Sequence, residues 1–272
     1  MPGVNGICNT KVSRDTGIFE LFLRHDAALR NIHINLQKGT LALQGWAGES
    51  ARSIGYDAGR NGGAGPAARE TAMKLYYSPG ACSLASHITL HEAGVDFTAE
   101  KVDIRAKRTE TGADFSAINP RGAVPALDLG NGDVLTEGVA IMQHVMDSAA
   151  PGVLPAPGTV ARARLAEALN YVSTEVHKTY SPFFYGLEGE AKAKQMALLD
   201  ARLQVIEDRL AGREYLAGDA YTPADAYFFT VTNWSQFAGH DLTKFPRITA
   251  LRAKVAARSA VQKALQAEGL AA

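Results

Sequence analysis

The chain has 272 residues, 46% apolar and 21% charged, with 28 basic against 28 acidic side chains and a pI near 7.1. Such a composition fits a globular protein of one or two domains and, with no basic field or polybasic patch, speaks against nucleic acid and membrane surfaces as partners. Cys8 and Cys82 are the only cysteines, too few for a disulfide framework and in keeping with a reducing cytoplasm, and no run approaches the about 20 apolar residues of a membrane span.

Residues 1–72 hold 11 of the 26 glycines and end in Gly59-Arg60-Asn61-Gly62-Gly63-Ala64-Gly65-Pro66. This linker composition predicts a mostly disordered extension, relieved only by a short amphipathic helix near 19–29. The apolar stretch 18–23 is broken by Glu20 and has no cleavage-site layout, so no targeting signal is expected. Met73 directly precedes the first well-formed strand, which makes it the expected start of the functional protein.

From 73 to 149 short apolar runs alternate with helical patterns. Strand signals cover 74–77, 97–102, 124–129 and 134–135, the last two joined across the turn Gly130-Asn131-Gly132-Asp133. Helical signals cover 83–93, a short stretch after Asp103, and 137–149. The order, βαβ and then ββα, predicts a thioredoxin-like α/β domain over 73–152.

Pro151, Pro155 and Pro157 mark 151–158 as a linker. Beyond it strand signals nearly vanish. Amphipathic runs at 159–180, 190–210, 222–238 and 245–267, the last with a break near Ser259, predict an all-α helical bundle domain over 159–272. Thr222-Pro223-Ala224-Asp225 sets a hydroxyl at N-cap, proline at N1 and an acid at N3, so Asp225 reads as a capping residue rather than a catalyst.

The chemistry centres on Tyr77-Ser78-Pro79-Gly80-Ala81-Cys82-Ser83, a strand end, a Pro-Gly turn and a helix start. A cysteine there feels free backbone N–H groups and the positive end of the helix dipole, which favour thiolate; the alternative is a small buried apolar cysteine. In Asn119-Pro120-Arg121-Gly122-Ala123-Val124-Pro125 a Val-Pro bond precedes a strand. A cis peptide there would expose neighbouring backbone to a peptide-like ligand, or merely make a rigid turn. Glu137 and Gly138 open a helix, where the Gly138 N–H suits a carboxylate and Glu137 suits an ammonium or the dipole alone. Asn170, Thr174, His177 and Lys178 fall on one helix face, fitted to stabilise a thiolate or simply to meet water. His87 and His91 lie four apart with no identifiable third ligand, so no metal is expected.

Together the runs 73–85, 119–127 and 135–141, the helix 170–182 and the cap 222–227 resemble a bacterial beta-class glutathione S-transferase. The resemblance covers essentially all of 73–272, with motifs of both halves in the right order. It implies a homodimer, a glutathione cleft between the two domains, and glutathione as co-substrate with no further cofactor. It implies that Cys82, followed by Ser83 in the site, is an active-site cysteine able to form a mixed disulfide with glutathione. Lys107 would reach the glycyl carboxylate, and Val124, before a cis Pro125, would pair with the cysteinyl backbone. Glu137 and Gly138 would hold the γ-glutamyl end. Asn170, Thr174, Glu175 and His177 would complete the site from the helical domain, with His177 near the sulfur and Lys178 beside it. Many transferases of this fold carry serine where this chain has Gly138, which keeps the N–H and loses the hydroxyl.

The activity so implied is conjugation of glutathione to small, often apolar electrophiles, with a cysteine-dependent thiol-disulfide activity beside it. Two alternatives stay open: a glutathione-dependent monothiol reductase, and a non-catalytic ligand-binding or stress protein. No second cysteine lies at CxxC spacing, which disfavours a dithiol mechanism. Tyr180, Phe183, Phe184 and Trp234 are candidates for the electrophile pocket, and equally for the core.

Overall fold

The computed structural model describes three N-terminal strands and residues 72–270. The strands β1 (Asn9–Val12), β2 (Ile18–His25) and β3 (Ala28–Asn35) form an antiparallel sheet in that order. The helix expected near 19–29 is therefore a hairpin, in which Ile18 pairs with Asn35 and His25 with Ala28. The β-branched and aromatic residues of Ile18-Phe19 and Ile32-His33-Ile34 favour pleated backbone over helix. The rest of the disorder expected for 1–72 lies outside the described residues.

Residues 68–272 make a separate compact unit. Its sheet has the order β6-β5-β4-β7-β8, from β4 (Met73–Tyr77), β5 (Phe97–Asp103), β6 (Arg108–Thr109), β7 (Ala126–Asp128) and β8 (Val134–Thr136). Strands β4 and β5 are parallel and every other pair is antiparallel. Helix α1 (Ser83–Ala93) makes the crossover between the parallel strands and stops at Gly94, whose φ of +67° suits glycine. The helix expected directly after Asp103 is instead a turn, because the Asp103 carboxylate accepts from the Arg105 and Ala106 N–H groups at 2.9 Å. The helical turn comes later, as α2 (Phe115–Ile118), and α3 (Gly138–Ala149) follows β8.

The helical half consists of α4 (Val160–Tyr171), α5 (Lys178–Tyr180), α6 (Gly189–Arg209), α7 (Pro223–Thr232), α8 (Ser235–Ala238), α9 (Pro246–Ala256) and α10 (Ser259–Ala267). A π-helical turn, Val172–His177, joins α4 to α5, and a 3₁₀ turn, Ser181–Tyr185, follows. The capping box forms as its spacing predicts: Asp225 accepts from the Thr222 N–H and reaches out to the Leu216 N–H, both at 2.8 Å.

Helix α1 is buried along 83–90 on all sides. Leu90 packs with Leu75, Leu127, Ile141 and Val145 on the sheet side. Leu84, Ala85 and Ile88 belong to the core of the helical half, with Leu169, Val176 and Phe228. Each of the leucine, isoleucine, valine and phenylalanine side chains among them contributes about 1.5–3 kcal/mol by leaving water. Hence the two halves share one core, and the N-terminus of α1 is pinned where they meet.

Candidate active site

The turn that carries Cys82 is fixed locally and from a distance. The Ala81 N–H bonds to Ser78 O at 3.0 Å, and Gly80 takes a φ of +69° that a side chain would strain. The Ser83 hydroxyl accepts from the Ser78 N–H at 3.1 Å and donates to Ser78 O at 3.2 Å. It is thus spent inside the turn. From the helical half, Glu268 accepts the Gly80 N–H at 2.9 Å and the Trp234 indole donates to Gly80 O at 2.8 Å. The second Glu268 oxygen lies 2.9 Å from His87 Nδ1. His87 stacks on His91 at 5.2 Å, and among the described residues no group of three potential metal ligands exists.

Cys82 opens α1 with its thiol donating to Val124 O at 3.2 Å, across the cis Val124–Pro125 peptide. Burial pushes this thiol up to about 11, while the N–H groups of Cys82 and Ser83 and the charge of Lys178 pull the other way. The helix start therefore acts as expected, but desolvation outweighs it and Cys82 rests as a thiol. Pro125 also bears on Gly138: a Cβ built there would sit 3.5 Å from Pro125 and 3.8 Å from Ser86 Oγ, which is ordinary contact. The buried Ser86 hydroxyl has no partner among the described residues.

Lys107 and Glu137 both hold a left-handed backbone, at φ of +55° and +70°. Lys107 Nζ donates to Gly122 O at 2.5 Å, folding its charge over the turn that leads to Val124. Glu137 follows β8 as the N-cap residue of α3, with its exposed carboxylate paired to Arg121. Cys82, Val124, Gly138, Lys107 and Glu137 thus gather around one segment, 122–125.

The helical residues divide. The wider π turn changes the rotation per residue, so a face counted on α-helical spacing does not hold: Asn170, Thr174 and Lys178 are exposed while His177 turns inward. Thr174 caps back to Asn170 O at 3.0 Å, and Glu175 pairs with Arg202 at 2.9 Å. Among the described residues, no hydrogen bond or ion pair joins Asn170, Thr174 or Glu175 to the sheet half. His177 instead bonds through Nδ1 to the Tyr227 hydroxyl at 2.7 Å and meets the Trp234 ring edge-on at 4.9 Å. Burial, with the charge of Lys178, lowers its pKa to about 4. Burial raises the Tyr227 phenol, and a thiolate at Cys82 would raise it further; Trp234, which meets the His177 ring and donates to Gly80 O, ties His177 to the turn that carries Cys82.

Of the four candidate aromatics, Tyr180 and Phe183 are core, Tyr180 with its hydroxyl 2.6 Å from Ser235 Oγ. Phe184 and Trp234 are accessible and extend to Phe237, stacked on Phe184 at 4.9 Å. This aromatic face adjoins both His177 and Gly80. Sequence reasoning missed Tyr227, Arg121, Phe237 and Glu268. Tyr227 carries only the signal of its place just after the capping box, and Glu268 lies 188 residues from Gly80, with no local signal at all.

Sequence profiles of known families match both halves: the N-terminal domain of glutathione S-transferase over 80–148 and its C-terminal domain over 164–259. The chain is 46% identical over 200 residues to glutathione S-transferase GstA of Escherichia coli O157:H7, covering 73% of this chain and all of that protein. Among solved structures it is similar to a sphingomonad glutathione S-transferase complexed with glutathione, at 44% identity and a TM-score of 0.69 over 73% of this chain and all of that one. A bacterial beta-class glutathione S-transferase from Sphingomonas chungbukensis matches at 39% identity and a TM-score of 0.69, over 72% of this chain and 99% of that one.

Proposed function

The chain belongs to the glutathione S-transferase family, and from that premise we propose that it binds glutathione along 122–125 and conjugates its thiol to a small, often apolar electrophile. The observation that carries this reading is the convergence on that segment of the Cys82 thiol on Val124 O, the start of α3 against Pro125, and the Lys107 ammonium on Gly122 O. An extended tripeptide with a carboxylate at each end, an ammonium and a central thiol fits such a set. Lys107 serves the glycyl carboxylate, Val124 the cysteinyl backbone, and the Gly138 N–H the γ-glutamyl carboxylate. Glu137, already paired to Arg121, takes the ammonium. Asn170, Thr174, Glu175 and Lys178 line the helical side, and Ser83 acts by shaping the turn.

In the reaction, glutathione gives its thiol proton to solvent and the resulting thiolate bonds to the electrophilic carbon. A leaving group such as halide departs with the bonding pair. Lys178 supplies positive charge, and His177, neutral near pH 7, supplies a hydrogen bond. The aromatic face of Trp234, Phe184 and Phe237 receives the acceptor. The enzyme works as a homodimer in the cytoplasm and takes no further cofactor; no described helix is long and apolar enough to cross a membrane.

Initial rates with glutathione and an activated aryl halide test this. Saturable conjugation is expected. Tight glutathione binding without turnover would favour a ligand-binding protein instead.

A thiol-disulfide activity rests on Cys82 alone. Its thiolate attacks a glutathionylated partner, forms a mixed disulfide and releases the partner thiolate; a second glutathione thiolate then frees Cys82 as oxidised glutathione leaves. Because Cys82 is held as a thiol, this activity is the slower one. The Cys82→Ala variant is expected to lose disulfide reduction and keep conjugation, and unchanged reduction would refute the monothiol route.

A further inference from the structure

His177 has two ring nitrogens, and the surroundings of only one are filled. Nδ1 lies 2.7 Å from the Tyr227 hydroxyl, and Nε2 has no hydrogen-bond partner among the described residues. A neutral imidazole carries its proton on one nitrogen, and the partner of the other decides which. Tyr227 is 6% exposed, and its phenol has a single proton to give. His177 Nδ1 is the one hydrogen-bond partner of the Tyr227 hydroxyl among the described residues. A buried phenol proton needs an acceptor, so it points at His177 Nδ1.

We propose that Tyr227 is a positioning residue that holds His177 in its Nε2–H tautomer, so that the imidazole offers a hydrogen bond from Nε2 to the sulfur anion in the cleft. The direction of the two pKa shifts agrees: the phenol is kept protonated and the imidazole neutral, chiefly by burial. The geometry has a plain origin. The π turn brings His177 to α7, and the capping box at Thr222 and Asp225 fixes the start of α7, four residues before Tyr227. A neutral donor also suits the site. It stabilises a thiolate without placing a second cation beside Lys178, whose charge already disfavours a protonated His177. Among the groups that face Cys82, Glu137 opposes a thiolate and Lys178 favours one, so a fixed neutral donor adds to the favourable side.

The role at the sulfur rests on the glutathione-transfer reading, but the tautomer does not, and the test separates them. Nitrogen-15 NMR of the His177 ring in the ligand-free full chain is expected to show a bare Nδ1 and a protonated Nε2. In Tyr227→Phe the Nε2–H preference is expected to be lost, with melting temperature as the check on folding. A protonated Nδ1 in the parent protein, or an unchanged tautomer in Tyr227→Phe, would overturn the assignment. With glutathione added, kcat/KM in Tyr227→Phe is expected to fall about 2- to 12-fold, the worth of one hydrogen bond, and the ultraviolet thiolate signal to appear at higher pH. A second pair of variants needs no tyrosine change: His177→Gln keeps a donor near the Nε2 position and His177→Asn near Nδ1. Glutamine is expected to retain the greater activity, and equal or reversed activities would contradict the proposal. If glutathione gives no thiolate signal in the parent protein while Nε2 is protonated, the transferase reading fails and the tautomer stands.

Discussion

The thiol of Cys82 sits where two effects oppose each other. Helix-terminal N–H groups and Lys178 lower its pKa, while desolvation raises it, and the balance near 11 leaves thiolate about four orders of magnitude short of full ionisation at pH 7. Alkylation of Cys82 by iodoacetamide is therefore expected to keep accelerating through about pH 10, where a free cysteine has levelled off. The Lys178→Ala variant is expected to react more slowly still, and a plateau near pH 8 would contradict this balance. His177 shows the same burial acting on a base. Its pKa is near 6.5 in the unfolded chain and about 4 when folded, so between those values the unfolded state binds the extra proton. Stability should then decline as pH falls from about 6.5 toward 4. Urea unfolding at several pH values is expected to give His177→Gln a shallower decline than the parent, and identical slopes would refute this.

At the scale of elements, the helix starts decide the site. Gly138 leaves room at the start of α3, with ordinary contacts to Pro125 and Ser86. Gly138→Ser is therefore expected to fold normally and to lower the KM for glutathione about 2- to 10-fold through one added hydrogen bond. At α1 the turn is held from the far end of the chain. Replacing Glu268 by alanine strands the Gly80 N–H and His87 Nδ1 and is expected to cost about 1–3 kcal/mol in urea unfolding. Glutamine there should recover part of the loss. Much of this layer is legible in the sequence, because strands, capping residues and Pro-Gly turns act on neighbours a few residues away. The cap at Thr222 and the start of α1 at Ser83 follow from such local rules. The turn after Asp103 and the π turn before His177 do not, since one aspartate side chain redirects the first and packing against α7 shapes the second. Nor does the all-round burial of α1, because the helices that cover its outer face, α7 and α10, lie well over a hundred residues away in the chain.

Among the described residues, the core cluster that spans both halves runs from Leu84 and Ile88 through Leu169, Val176 and Phe228. The sheet half and the helical half are therefore expected to unfold in a single transition, and two separated transitions by circular dichroism and tryptophan fluorescence would contradict a shared core. Both family matches and this core lie after residue 72, so a chain beginning at Met73 is expected to keep its melting temperature and activity. The residues around 122–125 could be found from sequence because motif and position coincide there; Tyr227 and Glu268 could not, because only the closed fold brings them to His177 and Gly80. The central claim is that glutathione binds along this segment. A crystal structure of the full chain soaked with glutathione tests it most directly. The tripeptide is expected to lie along Val124, with its γ-glutamyl end at Glu137 and Gly138, its glycyl end at Lys107 and its sulfur between Cys82 and His177. Glutathione bound elsewhere, or this segment left empty at saturating concentration, would contradict the account.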